Sequence, residues 1–277
     1  MKKLAITISA ILASGAVYAG NEATTQLQYA YSDDIKIEQV TAHADPSRGN
    51  DAFVYMTNTE HNKTNIYQKH DNNLATVNAK NAVRSKFDIT QKGDFNVGLI
   101  KTDGATNRKN DLDIVQEGNR NNAKVLVTSS SYNNVNVSQD NRNQALVRVS
   151  GYSDRNKVNV DQGDFNNVSV SVNRFSDRNE VDVDQDYRNT ANVSVYWGSD
   201  GNDIDISQDN VNTATVNVHY GSDNNGIDID QTAYNSTATV SLSYSSNNDI
   251  SVWQNSADSA TVTGYASNHN TVNIIQN

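Results

Sequence analysis

Glutamine and asparagine recur at a fixed spacing along this sequence, and their side chains suit a continuous hydrogen-bonded array. From Gln116 to Gln254, a glutamine occurs every 23 residues. An asparagine lies six residues before most of these glutamines and another lies four residues after many of them, as in Asn202, Gln208 and Asn212. A side-chain amide both donates and accepts hydrogen bonds. Stacked copies of this repeat would place amide over amide, so that every buried amide finds a partner in the next copy.

The predicted amide ladder comprises the asparagines and glutamines of the regular repeats. They are Asn133, Gln139, Asn143, Asn156, Gln162, Asn166, Asn179, Gln185, Asn189, Asn202, Gln208, Asn212, Asn225, Gln231, Asn248, Gln254, Asn270 and Gln276. Earlier repeats are less regular, with anchor glutamines at Gln39, Gln68, Gln91 and Gln116. After Gln116 and Gln231 the second strand is expected one residue later, at Asn121 and near Ser236, which predicts a longer turn.

The residues between the amides predict the elements that hold them. In 202–218, NDIDISQDNVNTATVNV, apolar Ile, Ala and Val residues alternate strictly with polar ones on both sides of a short turn. An alternation of period two is typical of a β-strand and excludes an amphipathic helix. Each repeat is therefore predicted to be a strand–turn–strand unit, which cannot bury its apolar face alone and must stack on its neighbours. The expected fold is an all-β solenoid of about eleven such rungs in two facing parallel sheets, with a cross-β arrangement on assembly.

Composition and charge restrict the classes of function. Lys2 and Lys3 precede an apolar run that ends at Val17-Tyr18-Ala19, which predicts a secretory signal peptide over 1–19 and a repeat domain over 20–277. The chain has no cysteine and a formal charge of −10, which becomes −12 once Lys2 and Lys3 are removed. A negative surface argues against nucleic acid and anionic lipid as partners. Neither membrane insertion nor nucleic-acid binding is expected.

The repeat N-x-[VI]-x-[VI]-x-Q-x(3,4)-N-x-A-x-V-x-V resembles the curlin repeat of curli, the extracellular amyloid fibres of Gram-negative bacteria. This resemblance covers nearly all of 20–277. It implies a secreted fibre subunit that crosses the periplasm, assembles at the cell surface, and serves in biofilm matrix and adhesion. The implied partners are further copies of the chain, a second curlin subunit acting as nucleator, and an outer-membrane secretion pore. The sequence leaves open whether this chain is the main subunit or the nucleator.

Two other groups of residues could bind a ligand. Asp182, Asp205 and Asp228 are expected to stack on the outer face, either as a column for a cation such as Ca²⁺ or as a solvated face that slows aggregation. The turns carry aromatic residues that would form either an adhesive strip or a cover for the loops: Tyr152, Phe175, Trp197, Tyr220 and Tyr244. The solvated face and the cover are the favoured interpretations.

Catalysis is the least favoured class. The five histidines fall at unrelated points of the repeat, and none has a serine or carboxylate at a spacing that suggests a relay. No zinc-like cluster occurs either. We therefore expect no enzyme, no catalytic residue, no metal site and no cofactor.

The outermost strands predict how copies would meet. Asn21, Ala23 and Leu27 match the second strand of a repeat, whereas Val272 and Ile274 match the first. The two half-rungs are complementary, which favours a head-to-tail fibre over the alternative of a soluble monomeric adhesin or calcium-binding surface module.

Overall fold

A computed structural model describes residues 7–14, 20–41 and 46–277 of the chain. It is a β-solenoid of about ten turns with a repeat of about 23 residues, and 64% of the chain is strand. The predicted fold, two parallel sheets stacked against each other, is confirmed. The chain divides into two compact units, Met1–Arg142 and Asn143–Asn277.

The first unit contains thirteen strands in its described residues. They are β1 (Thr7–Ser14), β2 (Glu22–Gln28), β3 (Asp34–Thr41), β4 (Asp51–Thr57), β5 (Lys63–Lys69), β6 (Leu74–Lys80), β7 (Ala82–Val83), β8 (Lys86–Lys92), β9 (Val97–Asp103), β10 (Asn107–Arg108), β11 (Asp111–Gln116), β12 (Asn122–Thr128) and β13 (Asn134–Asn141). The order β1-β3-β5-β8-β11-β13 forms one sheet, called sheet A, and β2-β4-β6-β9-β12 forms the other, called sheet B. The two-residue strands β7 and β10 pair separately in the turns.

The second unit continues the same alternation between the two sheets. Its strands are β14 (Gln144–Ser150), β15 (Lys157–Asp164), β16 (Asn167–Asn173), β17 (Glu180–Tyr187), β18 (Thr190–Tyr196), β19 (Asp203–Asn210), β20 (Thr213–His219), β21 (Gly226–Gln231), β22 (Thr237–Ser243), β23 (Asp249–Gln254), β24 (Ser259–Tyr265) and β25 (Thr271–Gln276). The odd-numbered strands belong to sheet A and the even-numbered strands to sheet B. Successive strands of each sheet pair in parallel.

Inward-facing side chains form the core between the two sheets. In β19, Ile204 and Ile206 are fully buried while Asp203 and Asp205 are exposed. The same inward positions recur in register in the neighbouring strands, where Val183 pairs with Ile206 and Ile206 with Ile229. Each apolar residue therefore packs on its counterpart in the next turn, which removes it from water along the solenoid axis.

The irregular early repeat carries its insertion between β3 and β4. Here β3 continues to Thr41, and a short 3₁₀-helix, Pro46–Arg48, precedes β4. Val40 pairs with Lys69 in the ladder, so β3 extends beyond its anchor glutamine, Gln39.

The first described strand lies inside the predicted signal peptide. Residues Thr7–Ser14 pair in parallel with β3, with Leu12 opposite Gln39. The predicted cleavage point after Ala19 lies outside the described residues. A signal peptide over 1–19 therefore stays a prediction. Among the described residues, no helix is long and apolar enough to cross a membrane.

The packing of the core can be tested by a substitution at Phe87. Replacing Phe87 with Ala should lower the free energy of unfolding of the soluble chain by about 3–5 kcal/mol, because it leaves a cavity at a fully buried position. The matched control is Phe95→Ala, since Phe95 is 52% exposed. Urea denaturation followed by circular dichroism measures both, and equal losses would contradict this description of the core.

Candidate functional site

The anchor glutamines form a hydrogen-bonded column in each unit. In the first unit, Nε2 of every glutamine donates to Oε1 of the next, at distances of 2.8–2.9 Å from Gln39 through Gln68, Gln91 and Gln116 to Gln139. All five side chains are buried. The direction is constant, because each donor lies one turn nearer to the N-terminus than its acceptor.

The second unit has a glutamine column of the same direction. Successive Nε2–Oε1 distances are 3.2, 2.7, 2.7, 2.8 and 2.8 Å. The members are Gln162, Gln185, Gln208, Gln231, Gln254 and Gln276. All are buried except Gln276, which is half-exposed because it lies on β25, the last described strand.

Two asparagine columns accompany the glutamines at the turns. In the first, Oδ1 of one asparagine accepts hydrogen bonds from both the backbone N–H and Nδ2 of the next, as Asn202 does from Asn225 at 3.1 and 2.9 Å. Its members are Asn156, Asn179, Asn202, Asn225, Asn248 and Asn270 in the second unit, and Asn133 bonds to Asn110 in the same way in the first.

The second asparagine column runs on the opposite side of the glutamines. Backbone N–H groups donate to Oδ1 one turn earlier, and the members in the second unit are Asn143, Asn166, Asn189 and Asn212. Ser236 follows Asn212 and donates its N–H to the Asn212 Oδ1 at 2.8 Å. In the first unit, Asn121 belongs to the corresponding column, since its backbone N–H and Nδ2 both donate to Oδ1 of Asn96. The longer turns after Gln116 and Gln231 therefore preserve the column.

The glutamine columns leave complementary groups at their outer edges. The Oε1 atom of Gln39 is buried and has no hydrogen-bond partner among the described residues. At the other edge, Nε2 of Gln276 reaches only the Ser259 carbonyl oxygen, at 3.4 Å. A buried acceptor without a donor costs about 1–3 kcal/mol. The glutamine column therefore has an acceptor without a donor at Gln39 and an available donor at Gln276.

The predicted junction residues lie beside these open groups. Asn21, Ala23 and Leu27 on or next to β2 are half-exposed, as are Val272 and Ile274 on β25. Asn270 is exposed, in contrast to the buried asparagines below it in the same column. These side chains have apolar or amide character at positions that are buried elsewhere in the solenoid.

A hollow of about 240 Å³ adjoins β25. Its lining includes Leu242, Val262, Gly264 and Val272. Gly264 occupies an inward position opposite Leu242, where the other strands of sheet B carry a larger side chain, and an added Cβ would lie only 2.8 Å from Leu242 Cδ2. Leu242 therefore already occupies the place of a Cβ at residue 264, and the lack of a larger side chain there leaves the hollow between β24 and β25.

A buried serine column was missed by the sequence interpretation. Each backbone N–H donates to the Oγ one turn earlier at 3.1–3.3 Å, along Ser153, Ser176, Ser199, Ser222, Ser245 and Ser267. The sequence signal for this column is a Ser-Asp pair that recurs in the turns, as at Ser176-Asp177 and Ser199-Asp200. These hydroxyls fix the turn in register in the same way as the amides fix the strands.

The outer face of sheet A is acidic in the second unit. Asp182, Asp205 and Asp228 are exposed and lie opposite one another on adjacent strands. Burial raises the pKa of the Asp205 carboxyl, and the neighbouring charges of Asp182 and Asp228 raise the pKa further. The pKa values of Asp184 and Asp230 are raised by burial and adjacent carboxylates as well. Like charges on neighbouring strands therefore oppose the stacking.

Aromatic side chains form a second exposed column at the turns. Tyr152 stacks on Phe175, and Trp197, Tyr220 and Tyr244 stack on one another with centroid separations of 5.3–6.2 Å. The Arg174 guanidinium lies 4.2 Å from the centre of the Trp197 ring. Because these ring faces contact each other or the guanidinium, little face area remains for stacking a sugar, which favours the covering role.

The described residues contain no group of three or more His, Cys, Asp or Glu side chains placed to hold a metal ion. The exposed aspartates Asp182, Asp205 and Asp228 form a line across adjacent strands. His61 and His70 lie on either side of β5, His219 ends β20, and His269 lies just before β25.

No protein-family model matches this sequence, and a search of curated proteins finds no match either. The functional proposal therefore depends on the fold and on the geometry of the columns.

The contribution of the glutamine column to stability can be tested by a substitution at Gln185. Replacing Gln185 with Leu removes the acceptor of Gln162 Nε2 and the donor to Gln208 Oε1. The free energy of unfolding should fall by about 1–3 kcal/mol for each group left unpaired. The control Asp182→Asn, on the exposed face of the same strand, should change it by less than about 0.5 kcal/mol. Urea denaturation measures both, and similar values would show that the column contributes nothing specific.

The acidic face makes stability depend on pH. The raised pKa values of Asp184, Asp205 and Asp230 mean that the folded chain binds protons more readily than the unfolded chain. Stability should therefore increase as pH falls through the raised values towards the ordinary value of 3.8, and decrease as pH rises through them. Thermal unfolding between neutral pH and about pH 4 measures this slope.

The matched variant is the triple replacement of Asp184, Asp205 and Asp230 by Asn. It should flatten the pH dependence and raise stability at neutral pH in low salt, because stacked like charges are removed. An unchanged slope in this variant would contradict the assignment of the pH dependence to this face.

Proposed function

We propose that this chain is a structural subunit of extracellular, curli-like amyloid fibres, which it forms by head-to-tail stacking. The observation that carries the proposal is the pair of open glutamine groups: a buried acceptor at Gln39 and an available donor at Gln276. A hydrogen bond from Gln276 Nε2 of one copy to Gln39 Oε1 of the next would have the same direction as the glutamine hydrogen bonds within each column. A second copy placed with its Gln39 above Gln276 would continue the column across the junction.

The strand edges support the same arrangement. In such a junction, β25 of one copy would lie beside β3 of the next, and β2 of that next copy would lie beside β24. The final strand and the opening strand of different copies would together complete one turn. Parallel strands with open edges pair readily with a further strand, and an interface that repeats without closing produces a filament.

The side chains at the two edges also complement each other. In this register, Leu27 of one copy would face Gly264 of the copy beneath it, where the hollow of about 240 Å³ lies. Val272 and Ile274 would face Ile35 and Ile37. Burying half-exposed apolar side chains in this way stabilises the junction by about 25 cal/mol for each Å² removed from water.

Export fits the same proposal. Removal of a signal peptide over 1–19 would take away β1, which lies beside β3, and would leave the β3 edge open to another copy. The chain would be secreted through the periplasm and an outer-membrane pore, and a second curlin subunit would nucleate its assembly. Fibres of this kind serve in biofilm matrix and surface adhesion.

Seeded growth tests the function. Chain 20–277 carrying Gln276→Ala should elongate wild-type seeds about tenfold more slowly, which corresponds to the loss of about 1.4 kcal/mol at the junction. The matched control Asn273→Ala changes an exposed position of the same strand and should elongate at the normal rate. Amyloid-dye fluorescence and electron microscopy measure growth.

Two results would count against the proposal. Equal rates for the two variants would remove the role of the glutamine junction. A chain that stays monomeric at high concentration, even with seeds, would favour the alternative of a soluble adhesin or calcium-binding surface module.

A further inference from the structure

From β16 to β24, the outer face of sheet B has a composition unlike that of the outer face of sheet A. The first three outward positions of β16, β18, β20, β22 and β24 carry only threonine, serine and asparagine. They are Asn167, Ser169, Ser171, Thr190, Asn192, Ser194, Thr213, Thr215, Asn217, Thr237, Thr239, Ser241, Ser259, Thr261 and Thr263. We call this set the hydroxyl face. It carries no charge, whereas the corresponding positions of sheet A carry the acidic column.

The hydroxyl face is ordered in two directions. Its members lie opposite one another on adjacent strands without a shift, as in the series Asn192, Thr215, Thr239 and Thr261. Neighbours along such a series are about 4.8 Å apart, and alternate residues along one strand are about 6.6 Å apart. Sheets whose side chains stack in ladders are flatter than ordinary twisted sheets. The face is therefore a two-dimensional lattice of short polar side chains.

These side chains are available to an external partner. All are exposed or half-exposed. Ser171 Oγ accepts a hydrogen bond from Asn173 Nδ2 at 2.9 Å. In the part of the chain that the structure describes, the other side chains of the hydroxyl face make no hydrogen bond. Threonine supplies a methyl group that restricts neighbouring water, as well as a hydroxyl that bonds to it.

We propose that the hydroxyl face binds ice. The spacing between its strands lies close to one oxygen repeat on a prism plane of hexagonal ice, and the spacing along a strand is about a tenth shorter than the other repeat. Water held between the methyl groups and bonded to the hydroxyls would adopt nearly the spacing of the crystal surface. The absence of charge favours this ligand, because a charged group orients its own hydration water against the lattice.

Other occupants fit the face less well. A polysaccharide would be expected to use aromatic rings for stacking, and the first three outward positions contain none. Lateral pairing with a second copy would bury little apolar surface, since only the threonine methyl groups would contribute. Ice is periodic in two dimensions, as the hydroxyl face is. The site lies on a single chain and does not depend on fibre formation.

Inhibition of ice recrystallisation tests the proposal. The freshly dissolved full chain, added to a film of polycrystalline ice, should stop grain growth. The double variant Thr215→Lys and Thr261→Lys introduces two bulky charges two strands apart on the face. It should require a concentration about tenfold higher for the same inhibition.

The matched control places the same charges on the other face. Ser207→Lys and Ser251→Lys alter outward positions of sheet A, also two strands apart, and should inhibit as the unmodified chain does. A third variant, Thr215→Ser and Thr261→Ser, keeps the hydroxyls and loses the methyl groups, and it should lie between the other two. Circular dichroism and the unfolding temperature establish that each variant is folded.

Three results would overturn the proposal. The first is an unmodified chain that leaves grain growth unchanged. The second is an equal loss of inhibition in the hydroxyl-face variant and the sheet A control, since the face would then have no specific role. The third is binding to crystalline cellulose that is lost in the Thr215 and Thr261 lysine variant, in the absence of any effect on ice, which would assign the face to a polysaccharide.

Discussion

Hydrogen bonding between buried amides along the solenoid axis is the interaction on which the rest of the structure depends. A glutamine such as Gln208 lies in a core of valine and isoleucine, where its amide has no access to water. Its donor and acceptor are satisfied only if glutamines lie directly above and below it. A shift by one residue would turn the inward face outward, and a shift by two would place Ile229 instead of Gln231 beside Gln208 and leave its amide unpaired. The columns therefore fix the register of both sheets and align the turns.

The sequence predicts most of this arrangement because each component acts at short range. The spacing from Asn202 to Gln208 and Asn212 is sufficient to define the strands, the inward face and the stacking. The serine column through Ser199 could not be recognised as readily, because serine is common in exposed turns and burial depends on the path of the neighbouring turns. Arg174, which contacts the Trp197 ring, was also not foreseen, since this contact depends on the rotamers of two long side chains.

Alignment of the turns also explains why the surface separates into faces of different chemistry. Any outward position, once occupied by similar residues in successive repeats, becomes a line of like groups about 4.8 Å apart. On sheet A this produces carboxylates with raised pKa values, as at Asp205. On sheet B it produces the uncharged hydroxyl face. At the two edges the same columns have open groups, at Gln39 and Gln276, so the interaction that builds the chain also provides a way to extend it.

The central claim, that copies continue the column head to tail, is tested most directly by cross-linking. Gln276 opposite Gln39 would put Asn273 opposite Lys36, with Cα atoms about 4.8 Å apart, a separation that a disulfide can span. The chain has no native cysteine, so fibres of 20–277 carrying both Lys36→Cys and Asn273→Cys can be oxidised and examined on a denaturing gel. We predict a series of covalent dimers, trimers and longer species that neither single variant produces. Fibres that remain uncross-linked, or that yield the same dimers in a single variant, would contradict head-to-tail stacking.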